Sequence, residues 1–219
     1  MSYFSRSAVE LSKNTVKTAT SSPASRLVLA SGSPHRRALL ERLGLAFEVV
    51  PADVDETALP GEAPADTATR LAEAKARAVA RTRADALVIG SDQVADLGGR
   101  AIGKPRDRAD ALQQLRSMRD RTVVFHTAVA LVNGATGTCR SALVDVASTF
   151  RNLDDAALEA YLDREAPLDC AGSVKSEGPG IALFTRLASD DPTALIGLPL
   201  IRLIDLLQAE GVRLPALLP

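Results

Sequence analysis

Aromatic side chains are scarce in this sequence, with no tryptophan, two tyrosines and five phenylalanines among 219 residues. A core must therefore be built from Leu, Val, Ile and Ala, and stacking platforms for single-stranded nucleic acid are excluded. An excess of basic charge is missing as well: 26 Lys and Arg stand against 27 Asp and Glu, a net charge of -1. Non-specific nucleic-acid binding needs a basic surplus, so only a local basic pocket for one small polyanion is left open. Cysteine is limited to Cys139 and Cys170, which are far apart and make no metal-ligand spacing. Buried reduced thiols and a cytoplasmic location are the expectation. No apolar run reaches the length of a membrane span and no signal-peptide core is present, so no membrane partner is expected. What the sequence does have is apolar bulk, 46% of its residues, enough for a sizeable core.

The stretch Leu29-Ala-Ser-Gly-Ser-Pro-His-Arg-Arg37 joins a short apolar strand to a helix through a polar turn. Ser33 suits the N-cap, Pro34 the first helical position and Gly44 the stop, which predicts a helix from about Pro34 to Leu43. Arg36 shares a face with Leu39, Leu40 and Leu43, so its guanidinium sits at the head of the stripe that faces the core. Free backbone N–H groups, the helix dipole and a forked cation together favour a phosphate. Arg37 has an alternative partner one turn on, Glu41.

Residues 1–25, rich in Ser and Thr, predict a disordered extension ahead of a single domain over residues 26–215. Strands are expected over Arg26 to Ser31 and Ala46 to Val50, then an acidic loop containing Glu56 and a helix from about Pro64 to Arg83. Lys75 interrupts the apolar stripe Ala68, Leu71, Ala72, Val79 of that helix; spacing favours a snorkelling side chain over one that reaches a negative partner. Ala86 to Gly90 reads as a strand buried on both faces, placing Asp92 and Gln93 at its carboxyl end, where ligands of open α/β sheets collect. A hairpin around Gly98-Gly99 leads to Gly103-Lys-Pro105 and a helix over Asp107 to Met118. Two long strands, Thr122 to Val132 and Ser141 to Phe150, flank the turn Asn133-Gly-Ala-Thr-Gly137 and make the sheet mixed. The lone strand histidine His126 reads as structural. A helix over Asp154 to Arg164, a short strand over Leu168 to Ala171, a polar loop to Gly180 and a helix within Leu195 to Leu207 complete the expectation. The fold class is α/β, a mixed twisted sheet flanked by helices, with a cleft between two lobes.

Arg36, Arg37, Lys75, Lys104 and Lys175 with Glu56, Asp92 and Glu177 make a set of cations and carboxylates suited to polyphosphate chemistry. Five segments carry a closer likeness: Leu29-Ala-Ser-Gly-Ser-Pro-His-Arg-Arg-Ala-Leu-Leu40, Val54-Asp-Glu56, Leu71-Ala-Glu-Ala-Lys-Ala76, Ile89-Gly-Ser-Asp-Gln-Val94 and Gly103-Lys-Pro105. Together they resemble the Maf family of nucleotide pyrophosphatases over residues 26 to about 212. The later Cys170-Ala-Gly-Ser-Val-Lys-Ser-Glu-Gly178 is similar to the YceF subgroup, which prefers 7-methyl-GTP.

The resemblance implies an inosine-triphosphatase-like fold and hydrolysis of a nucleoside triphosphate between its α and β phosphates with Mg²⁺ or Mn²⁺. It makes Asp92 the proton acceptor and a metal ligand, and Glu56 a metal-side acid. Arg36, Arg37, Lys75 and Lys104 become triphosphate contacts, Ser31, Ser33 and Lys175 further substrate-binding residues, and His35, Gln93 and Glu177 the specificity positions. A carboxylate at Glu177 can accept from guanine N1–H and N2–H₂, and methylation at N7 adds a positive charge that an acid favours. His35 stands where members of the subgroup can carry a large aromatic, and it stacks less well on a cationic base. The family also allows a homodimer. The alternatives are the same chemistry on dTTP, UTP or CTP, against which the Lys175-Ser-Glu-Gly178 loop argues, and a regulatory binding protein linked to cell division.

Overall fold

The computed structural model describes residues 26–214. The expectation of a disordered extension over residues 1–25 lies outside them. Seven strands form one mixed sheet in the order β2-β1-β3-β5-β6-β7, with β4 beside β3. The strands are β1 (Arg26–Leu29), β2 (Phe47–Val49), β3 (Ala86–Asp96), β4 (Ala101–Ile102), β5 (Thr122–Asn133), β6 (Cys139–Phe150) and β7 (Phe184–Ala188). The helices are α1 (Pro34–Glu41), α2 (Pro64–Ala80), α3 (Arg108–Met118), α4 (Asp155–Glu165) and α5 (Leu200–Ala209). None of the described helices is long and apolar enough to cross a membrane.

The sheet changes character along β3. Its first four residues pair in parallel with β1, ending at Leu29↔Ile89, and its last two pair with β4, at Ala95↔Ile102 and Asp96↔Ala101. Between them, residues 90 to 94 are paired only on the β5 side, antiparallel, from Gly90↔Ala130 to Val94↔His126. A gap on one edge of a central strand is where an α/β sheet can open to a ligand.

α2 covers one face of the sheet, packing Ala68, Ala72, Ala76 and Val79 against Val28, Val88, Ala128 and Ala130. α1 and α5 cover the other with Leu39, Leu40, Leu203 and Leu207. A third apolar cluster, with Phe125, Leu115, Leu158 and Tyr161, joins α3 and α4 to the far end of the sheet. The buried residues of the first two are aliphatic, as predicted, whereas the third also gathers Phe125, Tyr161 and the pair Phe150 and Phe184, set edge-on to each other.

Several expectations differ in detail. β3 runs six residues beyond Gly90, because β5 supplies ladder partners to Asp96, so Asp92 lies within the strand and not after it. The short strand expected over Leu168 to Ala171 is a turn that runs into the 3₁₀ segment Ala171–Ser173. The final apolar run divides into a 3₁₀ turn, Ala194–Ile196, and α5, with Gly197 (φ 119°) between them. β7 was not anticipated; it pairs only with β6, and its exposed residues give no alternation.

Candidate active site

The β3 gap opens onto a cavity of about 610 Å³. Asp92 forms its floor, 8% exposed, and projects to the α2 face with Val88, Gly90 and Val94. Gly90 brings α2 down onto the strand: a Cβ there would lie 2.1 Å from the Ala72 carbonyl oxygen and 2.7 Å from the Ala76 nitrogen. This close approach sets Lys75 above Asp92, with Nζ donating to Asp92 Oδ1 at 2.6 Å. Glu56 Oε1 lies 2.6 Å from the same Nζ. Lys75 is 6% exposed, so the snorkelling expectation is corrected. The stem of the lysine has apolar cover, and two carboxylates at its tip offset the desolvation of the ammonium.

Glu56 belongs to a long loop with no regular structure, and α2 holds that loop in place. Arg70 donates through Nη2 to the Thr57 carbonyl (3.1 Å) and clamps Glu62 through Nε (2.6 Å) and Nη2 (2.8 Å). Burial pushes the Glu56 carboxyl up, but its contact with Lys75 and the charges of Lys104 and Arg36 outweigh this and hold it below its ordinary value. It is ionised at neutral pH.

The rim is cationic. Ser33 caps α1, its Oγ accepting from Arg36 N at 3.4 Å, and Ser31 Oγ accepts from Ser33 N at 3.2 Å. Arg36 turns inward: Nε donates to the Gly197 carbonyl (2.9 Å) and Nη1 to Ser31 Oγ (3.4 Å). The same Gly197 carbonyl accepts from Ser91 Oγ at 2.9 Å, which locks the turn to β3. Burial lowers the Arg36 pKa, opposed by the nearby Asp92 and Glu56. Lys104 lines the opposite side of the cavity, just after β4.

At the outer end His35 lines the cavity with Asp169 and Cys170. His35 Nδ1 is 2.6 Å from Glu177 Oε1, a residue from the loop after the 3₁₀ turn at Ala171–Ser173. Gln93 lines the cavity from the α5 face, its amide nitrogen donating to Thr127 Oγ1 (2.9 Å) and to the Ala194 and Leu195 carbonyls (3.0 Å each).

The profile of the Maf-like proteins matches residues 26–210. This chain belongs to the Maf-like protein family. It is 59% identical to a protein of Aromatoleum aromaticum over 191 residues, covering 87% of this chain and 98% of that one. A protein of a Polaromonas species is 59% identical over 200 residues, 91% of this chain and 90% of its own. A Cupriavidus pinatubonensis protein is 55% identical over 192 residues, 88% and 96% of the two chains. All three relatives carry the name 7-methyl-GTP pyrophosphatase. Among solved structures, a HAM1 protein from Coxiella burnetii is 20% identical with a TM-score of 0.43, covering 58% of this chain and 74% of its own, a likeness too slight to bear on the chemistry.

In this Maf-like chain the cavity brings together Ser31, Ser33, His35, Arg36, Glu56, Lys75, Asp92, Gln93 and Lys104. Arg37 is not among its lining; its side chain is 63% exposed and pairs with Glu41 at 2.9 Å, on a separate hollow. Lys175 is outside the lining too, donating to the Glu165 carbonyl (3.2 Å) and pairing with the cavity residue Asp169 (3.3 Å). The two cysteines, expected to be buried, are partly exposed. His126, read as structural, lies within β5 with its ring nitrogens 2.7 Å from Asp145 and 3.4 Å from Asp96. Sequence reasoning missed Arg70 and Asp169. Arg70 stands eight residues after Glu62 across the start of α2, a spacing that carries no helical signal because Glu62 precedes the helix.

The acids fit a divalent cation. Glu56 and Asp92 each engage Lys75 through one oxygen and keep the other free of protein hydrogen bonds among the described residues. Two hard oxygen donors, beside room for water and phosphate oxygens, suit Mg²⁺ or Mn²⁺.

Proposed function

We propose that this chain hydrolyses the α–β phosphate bond of 7-methyl-GTP, giving 7-methyl-GMP and diphosphate, with Mg²⁺ or Mn²⁺ as cofactor. The observation that carries the reading is the Lys75 ammonium held 2.6 Å from both Glu56 and Asp92 on the floor of a cavity with a cationic rim. The names of the three bacterial relatives support the base. Arg36, Lys104 and the α1 N-terminus bind the triphosphate, which brings the α–β bond over Asp92. Asp92 accepts the proton of a water molecule through its free oxygen while the water oxygen bonds to phosphorus and the bridging oxygen leaves with diphosphate. Lys75 aims Asp92 through the hydrogen bond to its Oδ1. Arg36 and Lys104 neutralise charge as it passes to the leaving group. A divalent cation held by Glu56 and Asp92 would add Lewis-acid neutralisation of the phosphates.

Glu177 serves as acceptor for the guanine edge, with His35 presenting it. The near-neutral charge and a nucleotide substrate support a cytoplasmic reaction without nucleic acid as partner. Steady-state assays over a panel of 7-methyl-GTP, GTP, dTTP, UTP and CTP test the reading. The expected result is the highest kcat/KM for 7-methyl-GTP; a preference for dTTP or UTP would reject it.

A further inference from the structure

The outer end of the cavity contains a second group of ligating atoms, remote in chemistry from the acid floor. His35 comes from the first turn of α1, and Asp169 and Cys170 from the turn after α4. An imidazole nitrogen, a carboxylate oxygen and the thiol sulfur of these residues all lie within 4.8 Å of one another. Asp169 is central: its Oδ2 is 3.9 Å from His35 Nε2 and its Oδ1 is 3.5 Å from Cys170 Sγ.

The second feature is the orientation of the His35 ring. Its Nδ1 is engaged by Glu177 Oε1 at 2.6 Å, which turns the other ring nitrogen, Nε2, toward Asp169 Oδ2 at 3.9 Å. A carboxylate behind a histidine, setting which nitrogen is free, is the usual outer shell of a histidine metal ligand.

We propose that His35, Asp169 and Cys170 form a zinc site, and that zinc bound there excludes the nucleotide from the base-recognition end of the cavity. A nitrogen, oxygen and sulfur set suits Zn²⁺, whereas Mg²⁺ and Mn²⁺ favour the all-oxygen pair Glu56 and Asp92. Three protein ligands leave the fourth tetrahedral position open to the cavity. As zinc binds, the Cys170 thiol releases its proton to solvent and the sulfur bonds to the metal. Burial and the neighbouring Asp169 push that thiol up to about 12, so without metal it is protonated at neutral pH. Asp169 exchanges Lys175 Nζ, 3.3 Å away, for the metal. The exclusion of nucleotide rests on the proposed function; the binding of zinc does not.

The test uses the full chain, stripped of metal and titrated with Zn²⁺ in excess Mg²⁺ by calorimetry, and with Co²⁺ by absorption spectroscopy. One zinc per chain and a thiolate-to-cobalt charge-transfer band are expected. Cys170→Ser removes the band and weakens zinc at least about tenfold, and Glu177→Gln, which removes the carboxylate behind the His35 ring, weakens it by about 10–100-fold. Cys139→Ser leaves both unchanged. A band that survives in Cys170→Ser, or zinc affinity unaltered in both Cys170→Ser and His35→Gln, overturns the site. In assays, zinc raises KM for the triphosphate in the parent and not in Cys170→Ser. Inhibition that persists in Cys170→Ser puts zinc on Glu56 and Asp92 and overturns the exclusion. If no triphosphate is hydrolysed, the proposed function fails while the binding measurements still decide the site, and if Cys170→Ser does not fold, His35→Gln gives the same reading.

Discussion

Gly90 of β3 and Ala72 of α2 touch so closely that a Cβ on Gly90 would come within 2.1 Å of the Ala72 carbonyl oxygen. No flexible side chain can yield there, since the obstructing atoms are helix backbone. Gly90→Ala therefore lifts α2 off the strand and with it the Lys75 ammonium off Asp92. The expected cost is about 1–3 kcal/mol in unfolding free energy, seen in urea titration. Activity should fall further than stability predicts, on the order of 10²-fold in kcat, because the displacement is at the proposed reacting centre.

The ion pair beneath the cavity is asymmetric. Lys75 has two carboxylate partners, whereas Asp92 has Lys75 as its direct partner and Arg36 only as a more distant charge. Asp92→Asn leaves the ammonium paired with Glu56, so the fold is retained while kcat drops by about 10²–10⁴-fold. Lys75→Met strands a buried carboxylate and costs about 3–5 kcal/mol. Thermal unfolding of both variants beside their turnover separates the two roles; equal losses of stability would contradict the asymmetry.

Arg70 acts on Glu56 at one remove, through the Thr57 carbonyl. Arg70→Gln should reduce kcat on the order of tenfold with little change in KM for the triphosphate. Its partner Glu62 gives a pH signature. The Arg70 contact holds the Glu62 carboxyl down to about 2 from an ordinary 4.5. A carboxyl whose pKa is depressed on folding contributes stability that is complete above 4.5 and lost as the pH falls towards 2. Glu62→Gln should accordingly lower the unfolding temperature at pH 7, and the gap to the parent should close over that acidic window.

Local signals were readable where one element decided them. Ser33 and Pro34 placed α1, the Asn133 turn placed the β5–β6 hairpin, and the apolar stripe of α2 named the residues that pack on the sheet. The gap along β3 was not readable, because it depends on where β1 ends and β4 begins, two edges set by chain segments far apart in sequence. Lys75 shows the same limit: a lysine within an apolar stripe snorkels unless acids meet it, and Glu56 and Asp92 arrive from a loop and a neighbouring strand. Asp169 reaches His35 only because the turn after α4 lies against α1, a contact that no local signal carries.

Arg36 and Arg37 are adjacent in the sequence, but the folded chain treats them differently. Arg36 is held inward by Gly197 and Ser31 at the cavity, while Arg37 projects to solvent in an i,i+4 pair with Glu41. An exposed pair of that kind contributes about 0.2–0.5 kcal/mol to the helix and is screened by salt. Arg37→Ala should thus alter kcat/KM by less than about threefold, whereas Arg36→Ala removes both the proposed phosphate contact and the tether on the Gly197 turn, with a loss on the order of 10²-fold. Arg36→Lys distinguishes charge from geometry. A lysine keeps the positive charge but cannot reach Gly197 and a phosphate together, so most of the loss should remain. A comparable fall in Arg37→Ala would show that bound nucleotide draws Arg37 from Glu41 into the cavity.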